Sequence, residues 1–145
     1  MILSGVDVCQ YIKYGNLKFI PELNKDQFQQ NGIDLILEEA DKVGIGYAGF
    51  SLGSTRECVE MPNDLMAFVQ IRSTFARLGF ILPPTVIDAG FHGTITLEIG
   101  KLGEYAIIPL GARFAHLIFA KLTSPAEPYR GKYQGQRGIT TAKQD

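Results

Sequence analysis

Four short segments between Arg72 and Gly138 hold most of the side chains that could do chemistry. The first, Arg72-Ser73-Thr74-Phe75-Ala76-Arg77, sets two hydroxyls between two guanidiniums at the end of an apolar run. If a helical turn begins here, Ser73 is its natural N-cap. Free N–H groups, hydroxyls and guanidiniums together then suit a phosphate chain. On local pattern alone, an ordinary helix cap with two solvated arginines is the commoner case. In Val86-Ile87-Asp88-Ala89-Gly90-Phe91-His92-Gly93, a carboxylate precedes two glycines that permit a tight bend. Asp88 could accept a proton from water or a sugar hydroxyl, and Phe91 could pack on a sugar ring. Alone, the segment reads as a turn whose aspartate caps backbone N–H groups. In Thr94-Ile95-Thr96-Leu97-Glu98-Ile99, alternation puts Thr94, Thr96 and Glu98 on one face and Ile95, Leu97 and Ile99 on the other. A solvent-facing Glu98 is a surface residue, whereas one lining a cleft is a candidate acid/base with a raised pKa. Last, Tyr129-Arg130-Gly131-Lys132-Tyr133-Gln134-Gly135-Gln136-Arg137-Gly138 mixes cations, amides and aromatics with glycines. That composition suits a lid over a polyphosphate, or a solvated basic tail.

These segments need elements to position them. Ser4 with Asp7 three residues on is a capping-box pattern, Val8, Tyr11 and Ile12 share a helical face, and Gly15 is a stop. One short N-terminal helix is expected, then a connection through Pro21 and Asn24–Asn31 into a strand at Ile33–Leu37. Asp41 to Ser54 is glycine-rich with weak periodicity and reads as irregular or a loose hairpin. Further on, Leu65–Arg72, Thr94–Ile99, Tyr105–Pro109 and Arg113–Lys121 are rich in β-branched and aromatic residues. Turn signals separate them at Asn63, Gly90–Gly93, Gly103 and Gly111. Such spacing predicts an all-β sandwich, jelly roll or barrel, in one domain over 1–145. Residues 124–145, with few apolar anchors, read as a flexible C-terminal arm.

The formal net charge of −1, with no block of like charges, argues against a duplex nucleic-acid partner while leaving room for a local cationic pocket. No apolar run has the length of a membrane span, and the signal-peptide pattern is missing. Cys9 and Cys58 form no CxxC or Cys/His cluster, so free thiols in a reducing cytoplasm are expected. His92 and His116 lack metal-ligand spacing. The chain has no Walker A loop, no GxGxxG and no HxE…PCxxC pattern, so a base deamination here would proceed without zinc.

Taken in order, the four segments resemble the family uniting dCTP deaminases with homotrimeric dUTP diphosphatases. The likeness runs from Pro62 to Gly138 and extends to Met1-Ile2-Leu3-Ser4 and Asn31-Gly32-Ile33-Asp34-Leu35. It implies a distorted jelly roll of the β-clip, dUTPase-like kind, and a homotrimer with sites at subunit interfaces. It also implies Mg²⁺ bound by the triphosphate of dUTP or dCTP. By the resemblance, Arg72, Ser73, Thr74 and Arg77 hold phosphates, with Ser73 and Arg77 the principal contacts. Asp88 meets the 3′-hydroxyl or the attacking water, and Phe91 packs on the sugar. Thr96, Leu97 and Glu98 border the pyrimidine, and Tyr129, Lys132 and Gln136 belong to the lid. Asp34 matches an aspartate often linked to Mg²⁺ through water.

Two departures bear on the substrate. The loop Ile81-Leu82-Pro83-Pro84-Thr85 is shorter than in typical deaminases and lacks the residues that shape their cytosine pocket, as in deaminase-like archaeal dUTP diphosphatases. His116 stands where the family usually has Gln. Glu98 points the other way, since zinc-free deaminases use this glutamate to activate water. The loop puts dUTP hydrolysis to dUMP and pyrophosphate first. A dCTP deaminase or bifunctional enzyme comes second, and a non-catalytic nucleotide-binding module third.

Overall fold

At the N-terminus the Ser4 hydroxyl accepts the Asp7 N–H, while the Asp7 carboxylate accepts the Ser4 N–H. This closed capping box starts α1, Gly5–Lys13, and Gly15, with φ at +79°, follows its end. Val8 on its inner face is fully buried, with Tyr11 and Ile12 packed beside it. The computed structural model describes residues 1–145. After α1 come β1 (Lys18–Ile20), a single 3-10 turn (Lys25–Gln27), β2 (Phe28–Gln29), β3 (Gly32–Ala40), β4 (Gly44–Ile45) and β5 (Phe50–Glu60). Then follow β6 (Leu65–Ile71), the one-turn α2 (Ser73–Ala76), β7 (Phe80–Ile81), β8 (Thr85–Ile87), β9 (His92–Lys101), β10 (Ala106–Ile107) and β11 (Arg113–Lys121). No helix is long and apolar enough to cross a membrane.

All ladders are antiparallel, in the order β7-β9-β5-β3-β11-β6-β8, with β1 added on β5, β2 on β3, and a separate β4–β10 pair. β3 joins two halves of one curled sheet. Ile33 to Ile36 pair with β11, and Leu37 to Ala40 pair with β5, with a register shift between Leu37 and Glu39. A bulge there lets one strand serve both halves. Because the sheet wraps on itself, β3 is buried from Gly32 through Leu37 rather than alternating. The core between the halves is filled by Ile33, Leu35, Leu37, Leu97, Ile99, Leu117 and Phe119. Phe114 stacks tilted on Phe75, centroids 5.0 Å apart, with Phe80 edge-on at 5.9 Å, and so ties α2 and β7 to β11. The architecture is the expected all-β one and fits a distorted jelly roll.

Three local expectations need correcting. The stretch Asp41–Ser54 does join antiparallel β3 and β5 as a wide hairpin, but it is not irregular, because it contains β4 and the start of β5, the longest strand. Tyr105–Pro109 forms only the two-residue β10, since Tyr105 and Ile107 are exposed and its sole partner is β4. Ser73 is the first residue of α2 rather than its N-cap; Arg72 takes the cap position in extended conformation and makes no side-chain capping bond.

Candidate functional site

Most of the expected site residues gather in two clefts that share no lining residue. The first has a volume of about 490 Å³ and is walled by β9, β8 and the C-terminal tail. That size lies in the ordinary range for a small-molecule site. Asp88 and Phe91 reach it from the bend after β8. The bend is closed by the Phe91 N–H on the Asp88 carbonyl, and Gly90 sits in it at φ +79°. A Cβ on Gly90 would come within 2.7 Å of Pro128, so the glycine also lets the tail pass. Asp88 is exposed at the cleft, whereas Phe91 is buried with its ring edge-on to Tyr129, centroids 5.7 Å apart.

Thr96 and Glu98 line the same cleft from β9; Ile95, expected on the opposite face, lines it too, and Thr94 does not. Leu97, the residue between Thr96 and Glu98, does not line it. It is 1% exposed within the core, and turning it outward would forgo about 1.5–3 kcal/mol of apolar burial. Glu98 faces Leu52 across the β5–β9 ladder, with Phe50 further along the cleft wall. Burial raises its carboxyl pKa above the ordinary glutamate range, offset in part by its own backbone N–H. A desolvated carboxylate of this kind is the better proton acceptor.

The tail packs on its own chain and forms the third wall. Gln136 closes a two-way bond with Thr94, its side-chain amide donating at 2.8 Å and its carbonyl accepting at 3.0 Å. Gln134 accepts the His92 N–H at 2.7 Å, and the Thr140 N–H reaches Thr96 Oγ1 at 3.2 Å. Tyr129 and Gln136 thereby line the cleft, while Lys132 does not and instead pairs with Asp145. Sequence reasoning missed Phe50, Leu52, Tyr133 and Thr140 in this lining. The signal for the first two was their place opposite β9, Leu52 against Glu98 and Phe50 against Gly100, which is visible only once β5 is recognised.

The second cleft, about 300 Å³, brings together Asp34, Arg72, Ser73 and His116. Asp34 is buried, with Oδ2 3.0 Å from Arg72 Nε and 3.5 Å from an Arg113 guanidinium nitrogen, and Oδ1 2.9 Å from His116 Nδ1. Thr74 and Arg77 are exposed beyond it, and Arg77 has no carboxylate partner within the chain. The donor set does not fit a magnesium ion held by the protein. No three His, Cys, Asp or Glu side chains converge, and the one buried carboxylate here already faces two guanidiniums.

The molecule is thus an all-β protein of one curled antiparallel sheet, with a cleft holding two carboxylates and a separate cleft holding Arg72, Ser73 and His116. A family model described as dCTP deaminase-like matches residues 37–122. The chain is 56% identical to a dCTP deaminase of Metallosphaera sedula, over 99% of this chain and 98% of that protein. It is 42% identical to a probable deoxyuridine 5′-triphosphate nucleotidohydrolase of Sulfolobus islandicus rod-shaped virus 1, covering both chains fully. Among solved structures, the 2′-deoxycytidine 5′-triphosphate deaminase of Agrobacterium tumefaciens has a TM-score of 0.69 at 18% identity, over 83% of this chain. This chain spans 47% of that deaminase. The dUTPase of EIAV has a TM-score of 0.62 at 20% identity, over 81% of this chain and 98% of that one. The chain belongs to the dCTP deaminase-like family, and it is an enzyme of the group that joins dCTP deaminases to dUTPases.

Proposed function

We propose that the protein binds a deoxypyrimidine nucleoside triphosphate and deaminates dCTP to dUTP and ammonia. The observation that carries this reading is Glu98, a desolvated carboxyl in the acidic cleft with nothing cationic beside it. Water adds to C4 of cytosine as the Glu98 carboxylate takes its proton. Glu98 passes that proton to the ring N3, then takes the C4 hydroxyl proton and gives it to the amino group, which leaves as ammonia as the C4–N bond breaks and the C4 carbonyl forms. No redox partner is needed. Phe91 packs on the deoxyribose, Asp88 meets the 3′-hydroxyl or a water, and Tyr129, Lys132 and Gln136 act as the lid.

The phosphates go to the cationic cleft, with Arg72, Ser73, Thr74 and Arg77 as their holders. On this reading the nucleotide bridges two copies, the acidic cleft of one and the cationic cleft of the next, as in a homotrimer. Magnesium enters with the triphosphate, as part of the substrate.

Hydrolysis of dUTP to dUMP and pyrophosphate is the second reading. Asp88, exposed in the same cleft, favours it by being free to orient water, and so does the full-length likeness to the viral nucleotidohydrolase. The short loop carries less weight than its sequence suggested, because Thr85 lines the cleft but the exposed Pro83 and Pro84 do not. Incubation with dCTP and dUTP separately, each with Mg²⁺, separates the two. Ammonia from dCTP is expected. Pyrophosphate from dUTP without ammonia from dCTP would reverse the order, and both products would make the enzyme bifunctional.

A further inference from the structure

Asp34 lies where three neighbouring strands bring charge together. His116 is opposite it across the β3–β11 ladder, Gln70 is opposite His116 across β11–β6, and Arg72 follows just past the end of β6. The carboxylate is 2% exposed: Oδ1 is paired with the His116 ring, while Oδ2 lies at ion-pair distance from Arg72 and from Arg113, which Asp26 also faces, and takes no hydrogen bond from either. Arg72 is held a second time, its Nη1 donating to the Arg113 carbonyl at 2.9 Å. Gly32, at φ +152°, leaves room for the imidazole. A Cβ there would come within 3.0 Å of His116 Nε2 and 2.0 Å of the Leu117 carbonyl oxygen. A divalent cation approaching Asp34, even through water, would therefore enter beside two guanidiniums that repel it. Gln29, Gln30 and Asn31 along the same cleft are neutral and supply no second carboxylate.

We infer that Asp34 is a positioning residue, holding the Arg72 guanidinium and the His116 ring in place so that the cleft takes a polyphosphate directly through these side chains. An aspartate–water–magnesium link is not used. The inference rests on reading this cleft as the phosphate site. Its test is calorimetric titration of the full-length protein with inorganic tripolyphosphate, once with Mg²⁺ and once with EDTA. The wild type binds in both buffers, and Asp34→Asn weakens binding by about tenfold or more, by the same factor in each. Loss confined to the magnesium buffer, with Asp34→Asn matching the wild type in EDTA, would overturn it. Should Asp34→Asn fail to fold, Arg72→Lys keeps the charge but loses the Nε contact, and an equal, metal-independent loss is expected. Unchanged affinity in Arg72→Lys would count against the inference. A wild type that binds tripolyphosphate in neither buffer would sink the phosphate cleft itself, and the inference with it.

Discussion

Glu98 owes its proposed chemistry to its neighbours. On a solvent face it would be an ordinary surface carboxylate, but opposite Leu52 in a cleft it is desolvated and holds its proton more tightly. That shift has a sign for stability as well. Because the folded state favours the protonated form, ionising Glu98 opposes folding. The penalty is absent below the ordinary glutamate range, grows as pH rises from there to the raised value, and persists above it. Glu98→Gln should therefore melt no lower than the wild type at about pH 7, with any gain vanishing by about pH 4. The same variant should still bind dCTP while ammonia release falls on the order of 10²–10⁴-fold. Circular-dichroism melts and a binding titration beside the ammonia assay measure all three. A Gln variant that melts lower at neutral pH would mean the carboxylate makes a stabilising contact. One that deaminates normally would remove Glu98 from the chemistry.

Among the elements, β5 decides how the two clefts are held, and Glu57 decides how β5 is held. Its carboxyl is 2% exposed and pushed up by burial, yet it accepts the Ile36 N–H at 3.0 Å and the Gln27 side-chain amide at 2.7 Å. Gln27 cannot turn its amide round, because its Oε1 accepts the Asn24 N–H and its Nε2 also donates to the Asp34 carbonyl. Replacing Glu57 by Gln removes the cost of burying a charge but sets one NH₂ against a fixed donor. The buried mismatch should win, so Glu57→Gln is expected to lose about 1–3 kcal/mol in urea unfolding. A gain would show that desolvation dominates.

The same network explains what could be read from the sequence. β11 runs from Arg113 to Lys121 as expected, and α1 starts at its capping box, because both obey a local rule. β5 was illegible because it buries Ser51, Ser54, Thr55 and Glu57, and because its ladder with β9 shifts register between Ser54 and Cys58. Its polar side chains are satisfied by partners far along the chain, such as the Ile95 N–H on Thr55 Oγ1. In the site, period-two alternation brought Thr96 and Glu98 to the cleft but misplaced Thr94 and Ile95, while Leu97, taken from family likeness, points into the core. That same likeness brought Asp34 forward but could not show its three partners, which depend on sheet register.

At the scale of the whole molecule, the arrangement of cations and carboxylates argues for shared sites. One chain offers a cleft with Asp88 and Glu98, and a separate cleft with Arg72 and Ser73. On the proposed reading, each active site joins the acidic cleft of one copy to the cationic cleft of the next, around a closed ring. Two variants damaged in different clefts should then rescue each other. Glu98→Gln spoils the acidic cleft, and Arg77→Ala, at an exposed position with no carboxylate partner, spoils phosphate binding with little effect on folding. Each alone should be nearly inactive. Unfolded together in equal amounts and refolded, the subunits mix at random. A site is then whole only when its first copy carries an intact acidic cleft and its second an intact cationic one. That condition holds for about a quarter of the sites, so about a quarter of wild-type activity should return. Refolding either variant alone controls for reactivation, and size-exclusion chromatography with light scattering should show a trimer throughout. If the mixture stays as inactive as its components while the trimer forms, both halves of each site come from one chain, and the division between the two clefts is bridged within the monomer.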